Sequence, residues 1–364
     1  MSHANRTASK FWQRFRSIFS SNPGGWIVLL VMALLPFVTA LLTGQSIADL
    51  LANGTGRAKF IQGLAIEVFI LALYALSYDL LLGVTGLLSF GHAMFFAVGA
   101  YLTGILLKSF GWSLWATLGM VTVAAIVQAL LFAVVLPRVQ GVTFALVTLG
   151  ISSVFYIVIQ SHEMSAYTGA DVGLQGVIAP EFINAADHRM RFYFVALTLV
   201  VVAFLLYKRF VNSPTGRVCV AIRENEMRAR MLGYNTFYFK VIALVLSSLT
   251  AALAGVLHAL FQPIVSPHTA SMGFTIAALL MTLIGGVGTL SGALVGAAIY
   301  RLLEYGLDNL FGDKSTFLLG VVYVLIVLFL PYGIIGTWKT KSLQIRSGWR
   351  RLIGLFTGKP KHTP

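Results

Sequence analysis

Residues 60–107 read FIQGLAIEVFILALYALSYDLLLGVTGLLSFGHAMFFAVGAYLTGILL, and this stretch decides the fold class. It carries two formal charges, Glu67 and Asp79, and one break, the turn at Gly83 and Gly86. A membrane-spanning helix needs about 20 mostly apolar residues. The stretch therefore reads as two spans, 60–82 and 85–107, laid back to back around glycines that permit a tight turn.

Working outward, the same test picks out 26–43, 113–136, 141–160, 192–208, 238–261, 272–287, 289–307 and 316–336. The pair 272–287/289–307 repeats the first arrangement, with Gly285, Gly286 and Gly288 at its turn. The expected fold is an all-α integral membrane protein of about ten transmembrane helices, some broken or glycine-interrupted, with both termini cytoplasmic. Its parts are a basic N-terminus (1–25), one transmembrane domain (26–336) and a basic tail (337–364). Composition agrees: 58% of residues are hydrophobic and 10% charged, whereas soluble domains hold about 25% charged residues. The run 26–43 follows Arg6, Lys10, Arg14 and Arg16 but exceeds the roughly 7–15 apolar residues of a signal peptide, so it reads as a retained first span.

The net charge of +14 would suggest nucleic acid in a soluble protein. Here the cations lie in loops and termini, where the tendency of Lys and Arg to stay on the cytoplasmic side accounts for them. With ten crossings and the N-terminus inside, 208–240 is cytoplasmic and carries Lys208, Arg209, Arg217, Arg223, Arg228, Arg230 and Lys240. The longest loop on the opposite side, 161–191, carries Glu163, Asp171, Glu181 and Asp187 against Arg189 and Arg191. No nucleic-acid partner is expected. The single cysteine, Cys219, excludes an internal disulfide.

Within the basic loop, Ser213-Pro214 reads as a helix N-cap and first position, and Gly233 as the residue that ends the helix. The expected cytoplasmic helix spans 214–232. Val218, Ala221, Ile222, Ala229 and Leu232 form its apolar stripe, with Glu224–Arg228 and Glu226–Arg230 as i,i+4 pairs. A basic amphipathic helix suits an anionic lipid surface, and a narrow stripe of small residues suits a protein groove. The residues alone leave both readings standing.

No phosphate-cradling loop, metalloprotease motif, C-x-x-C or nucleophile elbow occurs, and no pair of the seven histidines has metal-ligand spacing. No catalytic residue, cofactor or metal site is expected. Charges inside spans are costly and therefore candidates for function. They are Glu67, Asp79 and the pair Arg301–Glu304, with His92 and His258 beside them. Gly86-Leu87-Leu88-Ser89 and Gly288-Thr289-Leu290-Ser291 share G-x-L-S 202 residues apart, and interrupted helices in matching halves mark substrate sites in many transporters. The pathway candidates are thus Asp79, Ser89, Gly91, His92, Gly286, Gly288 and Ser291. An ion-coupled secondary carrier using Asp79, Glu67 and His92 is one reading of these groups.

Four motifs, in order over about 60–336, carry a resemblance. The run from Ser77 to His92, continued by Ala93 to Tyr101, resembles the opening signature of LivM-like permease subunits of branched-chain amino acid ABC importers. Thr168-Gly169-Ala170-Asp171-Val172-Gly173-Leu174 resembles the family's external loop element, with Ala170 where glycine is usual. Ser213 to Arg217, Ala221 to Glu226 and Leu232-Gly233 resemble its cytoplasmic coupling segment, with Arg228 where a small residue is common. Leu283 to Gly292 resembles its late glycine-rich turn. The resemblance implies a non-catalytic subunit in a bacterial inner membrane, surrounded by lipid. Its partners would be a second, LivH-like permease, two ABC ATPase subunits that hydrolyse ATP, and a periplasmic solute-binding protein. Arg223, Glu224, Asn225, Glu226 and Gly233 would couple to the ATPases. The implied solute is a branched-chain amino acid, with urea, amides and aromatic acids carried by relatives.

Overall fold

The structure is a computed structural model that describes residues 23–42, 44, 56–139, 141–177, 179–329 and 332–337. The basic N-terminus up to residue 22 and the tail beyond 337 lie outside the described residues, and with them the orientation of the termini. Each of the ten apolar segments contains a helix, as lipid demands of a backbone that must satisfy its own hydrogen bonds. They are α1 (Pro23–Leu42), α2 (Arg57–Asp79, continued by a π-helical turn, Leu80–Val84), α3 (His92–Lys108), α4 (Leu114–Ala133) and α5 (Val142–Gln160). After a loop come α6 (Arg189–Asn212), the short α7 (Pro214–Glu224) and α8 (Glu226–Met231), then α9 (Thr236–Phe261). The chain continues through α10 (Met272–Gly285), α11 (Leu290–Phe311) and α12 (Ser315–Phe329).

Ten helices are not ten spans. Among the described residues six helices are long and apolar enough to cross a membrane, or up to seven if α10 and α11 form one span. Those two helices bend by 115° at their break, so the pair is one broken span or a re-entrant loop. The third span was expected from residue 85, but Thr85–Gly91 is not helical and α3 has only 17 residues. In both places the glycine turns consume length that the apolar run alone had assigned to helix.

Helix α9 runs through the middle of the bundle, burying Ala243, Ser247, Ala251, Ala252 and Gly255. Small residues let backbones approach, which is how helices associate where lipid removes the hydrophobic drive. At the α3–α9 contact, a Cβ on Gly99 would run into the Ala252 carbonyl, and one on Gly255 into that of Phe96. The same device closes the α10–α11 bend, where Gly285 abuts Gly292 and Gly296 abuts the Met281 carbonyl. Tyr74, Phe96 and Phe274 cluster between α2, α3 and α10 with ring centroids 4.8–5.1 Å apart, Tyr74 stacked on Phe274 and Phe96 tilted against both. Large apolar side chains of α4 and α5, among them Val127, Leu131, Val154 and Ile157, face outward, as a lipid-facing surface requires.

At one end of the bundle, Leu174 pairs with Val265 and Gln175 with Ile264 in a two-residue antiparallel ribbon. The turn leading into it holds Ala170 at φ 47°, the sole non-glycine residue with positive φ among the described residues. That is the position where the resemblance led us to expect glycine. The loop keeps its left-handed turn, and alanine carries the strain that glycine would avoid.

Candidate functional site

The expected cytoplasmic helix 214–232 is two helices. Its start is as predicted: Pro214 occupies the first turn and the Ser213 hydroxyl accepts from the Gly216 amide at 3.2 Å. Asn225 then leaves the helical region, with φ −162° and ψ 101°, and its side-chain oxygen accepts from the Arg228 amide at 2.9 Å. An asparagine side chain that competes with the backbone favours such a cap over a helix interior. The break separates Glu224 from Arg228, and no ion pair joins them. Glu226 and Arg230 lie on one side of it and do pair, at 2.7 Å. Gly233, at φ +87°, ends α8: its amide bonds to the Arg230 carbonyl and the Tyr234 amide to that of Ala229, the Schellman pattern.

The buried face of α7 is Gly216, Cys219 and Ile222, with Ala229 buried on α8. Ala221 and Leu232, expected in the apolar stripe, are exposed. Gly216 lies so close to the Phe210 carbonyl that no Cβ fits there. Met227, Met231, Leu232 and Tyr234 present an apolar outer surface instead. Glu226 binds inward: it pairs with Lys240 at 2.6 Å and accepts from Thr236 at 2.9 Å. Burial opposes its charge, but these partners and Arg230 outweigh that and hold its carboxyl below the usual range. Glu226 thus clamps α8 to the start of α9. Glu224 and Arg223 stand on the far side of the break, and Glu224 is exposed.

Arg223 connects the loop to the core. Its Nη1 donates to the Gly83 carbonyl at the end of the π-helical turn. Four residues earlier on the same helix, Asp79 Oδ1 accepts from the Gly288 amide at 2.6 Å, which pins the α10–α11 break to α2. Neither Gly83 nor Gly288 has room for a side chain: a Cβ on Gly83 would meet Asp79 Oδ1 and the Gly288 backbone. A Cβ on Gly288 would meet Arg223 Nη1 at 2.6 Å and the Gly83 carbonyl at 2.7 Å. Gly286, at φ +116°, lies against the Tyr332 carbonyl, and Gly333 packs onto it. Arg223, Asp79, Gly83 and Gly288 therefore form one junction of three segments remote in sequence. Asp79 Oδ2 is buried without a partner among the described residues.

Of the other pathway candidates, Ser89, Gly91 and His92 lie together at the start of α3. Ser77 Oγ and His92 Nε2 are 2.8 Å apart, and the ring of His92 contacts those of Tyr74, Tyr78 and Phe95. Gly91 abuts the Thr148 carbonyl, while Thr148 Oγ1 accepts from the Phe90 amide at 3.2 Å. Thr275 Oγ1 accepts from the Ala93 amide at 2.9 Å and so ties the start of α3 to α10. Ser89 Oγ, His92 Nδ1 and the Tyr78 hydroxyl are buried and unpartnered among the described residues. Buried polar atoms left open in this way suit bound water or a polar solute. Ser291, half-buried on α11, makes no side-chain hydrogen bond in this cluster. Sequence reading missed Ser77, Thr148 and Thr275. Ser77 stood beside Asp79 in the quoted motif, but nothing local distinguishes the two threonines.

Glu67 and the Arg301–Glu304 pair meet at the other end of the bundle. Arg301 lies 2.5 Å from Glu67 and 2.8 Å from Glu304, and Gln262 donates to Glu67 at 2.8 Å. No group of three metal-ligating side chains lies together among the described residues.

With this geometry in hand, the comparisons with known proteins are specific. A profile of the family described as branched-chain amino acid transport system/permease component matches residues 60–330. The chain is 27% identical over 309 residues to the high-affinity branched-chain amino acid transport system permease protein LivM of Escherichia coli, covering 78% of this chain and 72% of that protein. The LivM protein of Salmonella typhimurium is 26% identical over the same coverage. The LivH permease of Escherichia coli is 25% identical over 284 residues, covering 73% of this chain and 91% of that protein. No solved structure matches.

Proposed function

Because the chain belongs to the family of permease components of branched-chain amino acid transport systems, we propose that it is a membrane-spanning subunit of an ABC importer for a small amino-acid-like solute. The proposed solute is a branched-chain amino acid, the substrate in its relatives' names. Urea, amides and aromatic acids are the alternatives. The subunit sits in the bacterial inner membrane, pairs with a LivH-like permease and receives solute from a periplasmic binding protein. Two ATPase subunits supply the energy, and α7–α8 is the docking segment that this chain offers them.

The observation that carries the coupling reading is the Arg223 contact with Gly83. An ATPase gripping the exposed Glu224 side and the apolar surface of Met227, Met231 and Leu232 would displace α7. Arg223 would transmit that displacement to the π-helical turn, and Asp79 would pass it to the α10–α11 break through Gly288. Hydrogen bonds that involve a charged group contribute about 1.5–3 kcal/mol each, enough to bias two arrangements of a broken helix. The open polar atoms of Ser89, His92 and Tyr78, beside this junction, are the proposed solute path.

The test is reconstitution of the chain with its permease, ATPase and binding-protein partners in liposomes. ATP-driven uptake of branched-chain amino acids is expected, together with none by the chain alone. Glu224→Lys is expected to leave the complex assembled in the membrane and to abolish uptake. Solute movement by the chain alone on an ion gradient would replace the importer with the secondary carrier. Normal uptake by Glu224→Lys would remove the docking role.

A further inference from the structure

A cavity of about 280 Å³ lies at the end of the bundle away from α7, walled by Phe60, Leu64, Phe261 and Pro263. Its polar lining is Glu67, Arg189, Gln262, Arg301 and Tyr305. A second cavity of about 380 Å³ adjoins it and shares Arg189, Phe261, Gln262 and Pro263. The first is near the lower edge of the roughly 300–1,000 Å³ of small-molecule sites, which suits a solute of few atoms.

The charges in this lining are not equivalent. Arg301 lies between two carboxylates, Glu67 and Glu304. Both oxygens of Glu67 are in use, one by Gln262 and one by Arg301. Arg189 makes no hydrogen bond or close ion pair with either carboxylate, although the charge of Glu67 reaches it. Its Nη1 donates to the Lys59 carbonyl at 3.1 Å, its guanidinium carbon sits 5.5 Å from the Phe261 ring centre, and its Nε is buried without a partner among the described residues. A buried donor left open costs free energy until a ligand or water accepts from it. A guanidinium beside an apolar wall selects a carboxylate attached to an apolar group.

We propose that this cavity is a receiving site for the carboxylate of the solute, with Arg189 as its anion-binding residue and Phe60, Leu64 and Phe261 as the wall for the side chain. The proposal rests on the importer reading in placing the cavity at the mouth where solute arrives. A site of this kind would hold solute released by a binding protein until the path beside His92 opens.

The test uses the assembled importer in nanodiscs of zwitterionic lipid, without binding protein. Binding of leucine, isovalerate and leucinamide is read by ligand-observed NMR for the wild type, Arg189→Gln and Arg189→Lys. Leucine and isovalerate, which carry the carboxylate, are expected to bind about tenfold tighter than leucinamide, the ratio a charge-assisted hydrogen bond supplies. In Arg189→Gln the ratio is expected to fall to about one, and Arg189→Lys to retain part of it. Loss of structure alone would weaken all three ligands together and leave the ratio unchanged, so an unchanged ratio overturns the proposal. Equal binding of leucine and leucinamide by the wild type, or no carboxylate binding, also overturns it. If Arg189→Gln does not assemble, the wild-type and Arg189→Lys ratios decide. Selective carboxylate binding by a complex that shows no ATP-driven uptake would keep the site and sink the importer reading.

Discussion

Substituting Gly83 by alanine tests the junction on which coupling depends. The added methyl would sit 2.7 Å from Gly288 Cα and closer still to the Gly288 nitrogen and Asp79 Oδ1. Carbon atoms in contact prefer about 3.5–4.0 Å, so the Gly288 turn has to retreat by about 1 Å. The Asp79–Gly288 hydrogen bond is 2.6 Å long, and a retreat of about 1 Å carries it past the range of about 2.7–3.2 Å in which such bonds hold. Overpacking costs about 1–3 kcal/mol and a lost hydrogen bond to a charged group about 1.5–3 kcal/mol, so the substitution should destabilise the complex by about 2.5–6 kcal/mol. That is a large part of the 5–15 kcal/mol typical of a folded protein. The assay is denaturant unfolding of the assembled complex in lipid, paired with ATP-driven uptake. A double-mutant cycle with Asp79→Ala removes one partner of the clash and should show a coupling energy of about 0.5–3 kcal/mol. If Gly83→Ala unfolds within about 0.5 kcal/mol of the wild type, as substitutions away from such contacts do, and transports normally, the close junction of α2, α7 and the α10–α11 break is refuted.

Two further outcomes concern the loop. The Glu226 carboxyl is held below its ordinary value, so its ion pairs contribute fully above about pH 4.3, the unperturbed value, and are lost as pH falls through the depressed one. Hydrogen exchange at 226–236, corrected for intrinsic rates, should therefore be slow at pH 6 and rise as the pH is lowered below the unperturbed carboxylate value. Glu226→Gln should exchange fast throughout, and a wild-type loop that exchanges no more slowly than Glu226→Gln at pH 6 would refute the clamp. Cys219 is fully buried, its Sγ lies 3.7 Å from the Phe239 carbonyl, and burial pushes its thiol up to about 11. Maleimide at pH 8 should label the resting complex poorly and label it faster during ATP turnover if α7 lifts; equally rapid labelling at rest would mean that α7 does not pack as described.

The reach of the sequence can be seen residue by residue. Apolar length and glycine spacing located the ten helical segments and both interrupted turns, because lipid leaves the backbone few alternatives. Ser213, Pro214 and Gly233 marked the ends of the loop helices, since caps are chosen by residues within one turn of them. The Arg301–Glu304 pair was visible for the same reason: its members are three residues apart. The break at Asn225 was local too, yet helix periodicity continued across it and concealed it. How the 115° bend between α10 and α11 divides into spans depends on backbone packing of Gly285 on Gly292, which no hydropathy window measures.

What the sequence determined by itself was the solvent, the elements and the family: composition excludes a soluble fold, and four ordered motifs point to one kind of permease. What only tertiary structure decided was partnership. Glu67 meets Arg301 across 234 positions, Asp79 meets Gly288 across 209, and Arg223 meets Gly83 across 140. The last two depend on segments meeting at backbone contact, at Gly83 with Gly288 and at Gly86 with Arg223. Periodicity along a chain records which face is apolar, whereas the distance between two faces is set by the small residues that let them close.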